Sequence, residues 1–279
     1  MKNKTGYLKV LAAALIWGTL GAFVRWSGLT PLELSFLRLA VATFVLFFFL
    51  PRGERFSYFY SKSYLPICLA GLLFALDTIL YFNAFQLTTL GNAVLPYNMQ
   101  PVFMAVLSPL ILKEGTDYKN LLLFALSLAG IGIMLYPNLV QLSYSDAAGI
   151  GYSLGGALCL SLIAIIAKSL HMNAITFVYY TMFTATLCLL PFIHLSGRLT
   201  LPRLAIAAVV GLVHTAIAYV LYYDSLRTLK MAHVVTLSYT IPVIAALTGL
   251  LLFKETVNQY TIVGGSLILI SGLVLIFRS

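Results

Sequence analysis

Charge is scarce in this chain. Only 9% of its 279 residues are Asp, Glu, Lys or Arg, and just 8 of them are acids. A soluble domain carries about a quarter charged residues because its surface needs polar cover, so a soluble globular protein is excluded. Cysteine is nearly absent as well. Cys68, Cys159 and Cys188 each sit in an apolar stretch without CxxC spacing, which argues against a disulfide framework or a thiolate metal site. No GxxxxGK[ST] run is present to cradle ATP phosphates, and no HExxH to hold zinc. The net charge of +9 is not organised as a basic run interleaved with aromatics, so nucleic acid is not an expected partner. No cofactor and no metal are expected.

Hydrocarbon fills the space that charge leaves. Apolar residues make up 61% of the chain, and a helix crosses a bilayer core of about 30 Å with roughly 20 of them. Apolar stretches bounded by Gly, Pro or charge predict helices over 7–26, 31–51, 65–87, 91–112, 119–137, 147–168, 174–194, 203–226, 231–253 and 259–277. The expected fold is all-α, a polytopic membrane protein of ten transmembrane helices, with membrane lipid as its surroundings.

The basic residues orient it. With the N-terminus inside, Lys2, Lys4, Lys9, Arg52, Arg55, Lys62, Lys113, Lys119, Lys168, Arg227, Lys230 and Arg278 fall on the inner side, 12 in all, against 4 outside: Arg25, Arg198, Arg203 and Lys254. Basic residues are retained on the cytoplasmic face. Both termini are therefore expected in the cytoplasm, the chain lying in the plasma or bacterial inner membrane.

A self-match organises the chain further. A shift of 141 residues lays Tyr81–Glu114 on Tyr222–Glu255 without a gap, with Tyr81/Tyr222, Val94/Val235, Pro101/Pro242, Val102/Val243, Ala105/Ala246, Leu110/Leu251, Lys113/Lys254 and Glu114/Glu255 identical, 8 of 34 positions. Two units follow, 1–138 and 145–279, of five helices each. Since five is odd, the second unit enters the membrane upside down. Inverted repeats are the construction of many secondary transporters, with the solute near the midplane between the halves.

These residues resemble a known family. AALIWG at Ala13–Gly18 and SFLRLAVA at Ser35–Ala42 look like the first part of an EamA domain, and Pro101 with Lys113–Glu114 and Pro242 with Lys254–Glu255 look like its recurrent helix ends. Lys113 and Lys254 stand where that family more often has Gly. The resemblance spans nearly the whole chain and implies the drug/metabolite transporter superfamily, with ten helices, cytoplasmic termini and export of small metabolites.

Ionisable groups inside a membrane are costly and mark function by default. Arg38, Asp77 and His214 lie within predicted spans. Arg38 and Asp77 are equidistant from the turn between the second and third helices, so they share a depth and a pair between them is feasible. Such a pair either only fixes packing, or Asp77 takes a substrate ammonium or a proton with Arg38 tuning it. His214 is either a packed histidine or part of the site. The same depth argument groups Tyr81 with Asn98, Tyr97 and Gln100, and Tyr219 with Tyr239, as polar glue or as a lining for a small amphiphilic solute. Trp17 is equally compatible with that lining, the core or lipid. Gly130, Gly132, Gly264, Gly265 and Gly272 read as close helix contacts, within the chain or in a homodimer. The expected activity is secondary transport of a small-molecule solute such as an amino acid, not catalysis, with Asp77 the candidate for proton coupling. The rival is an intramembrane enzyme or accessory subunit acting on lipids.

Overall fold

The computed structural model describes residues 2–54, 64–87, 96–113, 118–139, 146–193, 199–254 and 259–278. Glu114, Glu255 and Val94 of the self-match, and the start of the fourth predicted helix, lie outside them. The described residues form helices and no strands. The helices are α1 (Lys2–Ser27), α2 (Pro31–Phe49), α3 (Tyr64–Leu87), α4 (Gln100–Leu112), α5 (Tyr118–Leu139), α6 (Asp146–Leu170), α7 (Ala174–Leu189), α8 (Leu201–Leu226), α9 (Met231–Phe253) and α10 (Gln259–Arg278).

Among the described residues, seven of them, α1 to α3 and α6 to α9, are long and apolar enough to cross a membrane, while α4, α5 and α10 hold shorter apolar stretches. Large apolar side chains cover the outside: Leu65, Phe44, Leu201 and Leu251 are all well exposed. Hydrocarbon, not water, suits such a surface. The molecule is a polytopic helical membrane protein.

Local chemistry sets the helix ends. Thr30 and Glu33 form a capping box at the start of α2, with the Thr30 hydroxyl accepting from the Glu33 N–H at 3.2 Å and the Glu33 carboxylate accepting from the Thr30 N–H at 2.9 Å. Lys113 after α4 and Lys254 after α9 adopt left-handed backbone, with φ of 54° and 55°. Glycine takes that conformation without a steric penalty, which explains the preference for Gly at these ends.

Two helices are not the continuous rods that the sequence predicts. Residues 96–97 form a helical turn and 98–99 a bend before α4 begins. Within α9, Tyr239 interrupts the helix between Ser238 and Thr240. Pro101 and Pro242 follow the two interruptions at the same spacing, and each withholds the N–H that would close the preceding turn. A third irregularity is an eight-residue π-helical segment in α8, Val210–Ile217.

Packing does not follow chain order. Of its neighbours, α1 lies along α8 and α9, α2 along α7 and α8, α3 along α6 and α7, α4 against α6 and α9, and α5 along α10. By contrast, α2 barely touches α3. Gly6 meets Leu229, Gly18 meets Ile244 and Trp26 meets Phe253, so α1 and α9 run in the same direction. Lys168 at the end of α6 donates to the Leu229 carbonyl, beside the start of α1, and α4 runs alongside α6 from Tyr97 at Gly156 to Gln100 at Ser161. The ends of α4 and α9 therefore lie at opposite ends of the bundle.

The glycine expectation is met in part. A Cβ on Gly130 would come within 2.6 Å of the Gly264 carbonyl oxygen, so α5 and α10 cross there backbone to backbone, and Ser127 and Ser271 hydrogen-bond beside the crossing. Gly132 differs: among the described residues nothing approaches it within 4 Å, because it faces out of that crossing.

Candidate functional site

Asp77 lies on α3 among apolar neighbours and is only 3% exposed. The Tyr97 hydroxyl donates to both its carboxylate oxygens, at 3.0 and 3.2 Å. Tyr97 belongs to the turn before α4, which the Met99 N–H closes onto the Pro96 carbonyl at 3.0 Å. Its ring stacks on Tyr81, one turn beyond Asp77, at 3.9 Å between centroids. The third wall is Gly156 of α6, where a Cβ would stand 2.9 Å from Asp77 Oδ1 and 3.1 Å from the Tyr97 ring. Only the absence of a side chain lets α6 close over this pair.

Aromatic rings continue from there. Tyr219 of α8 meets the Phe74 ring at 5.4 Å, Trp17 at 4.9 Å and Tyr223 at 5.8 Å. Trp17 also tilts against Tyr222 at 5.2 Å, so it belongs to the interior and not to the lipid face. The Tyr222 hydroxyl donates to the Met104 sulfur on α4 at 3.5 Å. Gln100, on the same helix, donates to that sulfur as well and accepts through its carbonyl from Ser161 of α6.

On the α2 side stand Arg38 and His214. The π-helical segment presents the His214 carbonyl to the Trp17 indole N–H at 2.9 Å, and His214 is 1% exposed with its ring 4.7 Å from Phe23. The Thr19 hydroxyl donates to the Ile16 carbonyl at 2.7 Å and meets His214 Nε2 at 3.1 Å. Its single proton is used, so its oxygen accepts from the ring N–H, leaving Nδ1 buried without a partner. A Cβ on Gly211, in the same segment, would meet the Arg38 carbonyl oxygen at 2.9 Å.

The pairing of Arg38 with Asp77 that equal depth made feasible does not form. Asp77 is bonded to Tyr97, and Arg38 makes no ion pair among the described residues, its Nε buried and unpartnered. The cause is the packing order, because α2 faces α7 and α8 rather than α3. The two charges remain within electrostatic reach of one another, and Tyr219 is within reach of both.

Tyr239 is 1% exposed, its ring stacked over Phe124 of α5 at 6.1 Å and its hydroxyl unpartnered. It sits at the break in α9, away from the ring cluster around Trp17. Asn98 holds the corresponding bend before α4. The residues that sequence reasoning missed are Phe74, Met104, Gly156, Tyr223 and Thr19. Spacing could have found some of them: Phe74, Asp77 and Tyr81 share one face of α3, as Tyr219, Tyr222 and Tyr223 do on α8. Gly151–Gly155 spells GYSLG, the pattern of a nucleophile elbow, yet Ser153 lies buried inside α6, and a strand-to-helix turn is absent there. Among the described residues no group of three or more His, Cys, Asp or Glu could hold a metal ion.

An all-helical membrane bundle with polar groups gathered in its interior can be compared with known proteins. The model of the EamA-like transporter family matches twice, over residues 4–136 and 147–278. This chain belongs to the EamA-like transporter family. An uncharacterized transporter of Archaeoglobus fulgidus is 29% identical over 285 residues, covering 98% of this chain and 96% of that protein. An uncharacterized transporter of Bacillus subtilis is 24% identical over 250 residues, covering 88% and 80%. A solved crystal structure superposes with a TM-score of 0.83 over 99% of this chain and 98% of that one, at 18% identity, a likeness of fold. For this EamA-like protein, transport is thus the general activity.

Proposed function

We propose that this EamA-like protein is a secondary transporter, working as an exporter, that moves a small metabolite such as an amino acid by alternating access between two inverted five-helix units, 1–138 and 145–279. Ten spans carry both termini to the cytoplasm of a cell whose plasma or inner membrane holds the protein. The packing supports this reading. A shift of 141 residues exchanges α1 against α8 with α6 against α3, α1 against α9 with α6 against α4, and α2 against α8 with α7 against α3. It returns α2 with α7, α4 with α9 and α5 with α10 to themselves. The opposite placement of the α4 and α9 ends has the same sense.

The observation that carries the solute site is Asp77 held by Tyr97 inside rings from α1, α3 and α8. A buried carboxylate whose partner is a neutral phenol can exchange that bond for a substrate ammonium or a proton. Trp17, Tyr81, Tyr219 and Gln100 surround it with faces that suit an amphiphilic solute, and Arg38, His214, Asn98 and Tyr239 are the remaining polar groups assigned to binding. Alternating access then rocks the units about α2–α7 and α4–α9, with the breaks at 98–99 and Tyr239 as flexing points.

Counterflow in reconstituted vesicles tests the reading. Radiolabelled amino acids should exchange unchanged, and an Asp77→Asn variant should lose flux driven by a pH gradient. Full gradient-driven flux in that variant removes Asp77 as the coupling group. Chemical conversion of the solute by the purified protein would replace transport by catalysis.

A further inference from the structure

Among the described residues the Arg38 guanidinium lacks a counter-ion within bonding distance. Among the described residues it forms no ion pair, and its Nε is shut away from solvent without an acceptor. Asp77 forms no ion pair among the described residues and accepts the single Tyr97 hydroxyl proton across its two oxygens. His214 supplies no negative charge in either of its protonation states, and its Nε2 is used on Thr19. Arg38 is half-buried, and a guanidinium within a membrane span whose Nε is buried without an acceptor is a costly arrangement; Asp77, His214 and Tyr219 lie within its electrostatic reach.

From this geometry we infer that Arg38 is the seat of a carboxylate carried by the solute, at the opposite end of the site from Asp77. The inference rests on the interior cluster being the solute site. The planar fork of a guanidinium grips a carboxylate through two parallel N–H donors, which a lysine cannot copy. Tyr219 is within electrostatic reach of both poles and its ring meets Trp17 at 4.9 Å, so these rings are the surface offered to the solute's apolar body. Acid and base are held apart instead of bonded together, and a zwitterion bridges the gap that separates them. Gly211, in the π-helical segment of α8, packs on the Arg38 backbone carbonyl, where a Cβ would stand at 2.9 Å, and His214 Nδ1 of the same segment has no partner among the described residues.

The test uses the full chain in detergent and matched ligand triads: L-leucine, L-leucinamide and 4-methylpentanoate, and the corresponding three compounds built on phenylalanine. In the wild type, the carboxylate-bearing members of at least one triad raise the melting temperature, and the amide does not. Arg38→Gln abolishes that preference; Gly132→Ala, outside the interior cluster, keeps it. Should Arg38→Gln fail to fold, Arg38→Lys carries the test, with carboxylate affinity reduced at least tenfold. The inference is overturned if amides and acids stabilise the wild type equally, if no carboxylate in the panel does, or if either Arg38 variant keeps the wild-type preference. Vesicle counterflow separates the two claims. Wild-type exchange of amides without any need for a carboxylate overturns the Arg38 assignment and leaves transport standing. Carboxylate binding without exchange of any solute does the reverse.

Discussion

Tyr97 and Asp77 are joined by a phenol bridging both oxygens of a buried carboxylate, at 3.0 and 3.2 Å. Among the described residues no cation completes the pair. Tyr97→Phe deletes the donor while keeping the ring stacked on Tyr81. Losing a hydrogen bond to a charged group costs about 1.5–3 kcal/mol, so the ligand-free protein should melt at a lower temperature, while a solute ammonium no longer competes with the phenol for Asp77 and should bind at least as tightly in counterflow. An unchanged melting temperature in that variant would show the hydroxyl to be dispensable for the fold.

Gly156 and Gly132 form a matched experiment. Gly156→Ala places a methyl 2.9 Å from Asp77 Oδ1, and overpacking of this kind costs about 1–3 kcal/mol. The melting temperature should drop and solute binding should weaken with it. Gly132→Ala meets nothing within 4 Å and should be neutral or slightly stabilising, since Ala exceeds Gly in helix propensity by up to about 1 kcal/mol.

Lys254 holds left-handed backbone at the end of α9, its N–H donating to the Leu250 carbonyl at 3.1 Å. A non-glycine residue there costs roughly 1–2 kcal/mol. Lys254→Gly should therefore raise thermal stability, as should Lys113→Gly after α4. A lower melting temperature in both would show that the lysine side chains contribute more than the backbone strain removes.

Near the start of α1, Lys9 pairs with Asp224 of α8, which also meets Arg227 at 3.3 Å, and the Tyr7 hydroxyl meets His233 Nδ1 at 2.7 Å. Both Lys9 and Asp224 are partly buried. A double-mutant cycle with Lys9→Gln and Asp224→Asn should return a coupling energy of about 0.5–3 kcal/mol. A coupling near zero would mean that Arg227 alone satisfies Asp224.

Much of the architecture was legible without coordinates. Lipid leaves a helix few options beyond apolarity and length, so the helical stretches and the class of protein follow from composition. The self-match already paired Pro101 with Pro242, and the breaks at 98–99 and at Tyr239 fall beside them, although the apolar pattern there predicts unbroken helices. Asp77, Tyr81, Tyr97, Trp17 and Tyr219 could be named as candidates because polar groups are rare in such a chain.

Their company could not be named. Depth along a helix can be counted at 1.5 Å per residue, and by that count Arg38 and Asp77 are level. Two groups at one height meet only if their helices adjoin and turn the right faces to each other, and the order of residues does not determine either condition. Here α2 turns to α7 and α8, and α3 turns to α6, where Gly156 leaves room for Tyr97 to reach Asp77. The chain alone determined that an acid, a base and several phenols lie inside a membrane. Helix packing decided that the acid went to a phenol and the base to none of them.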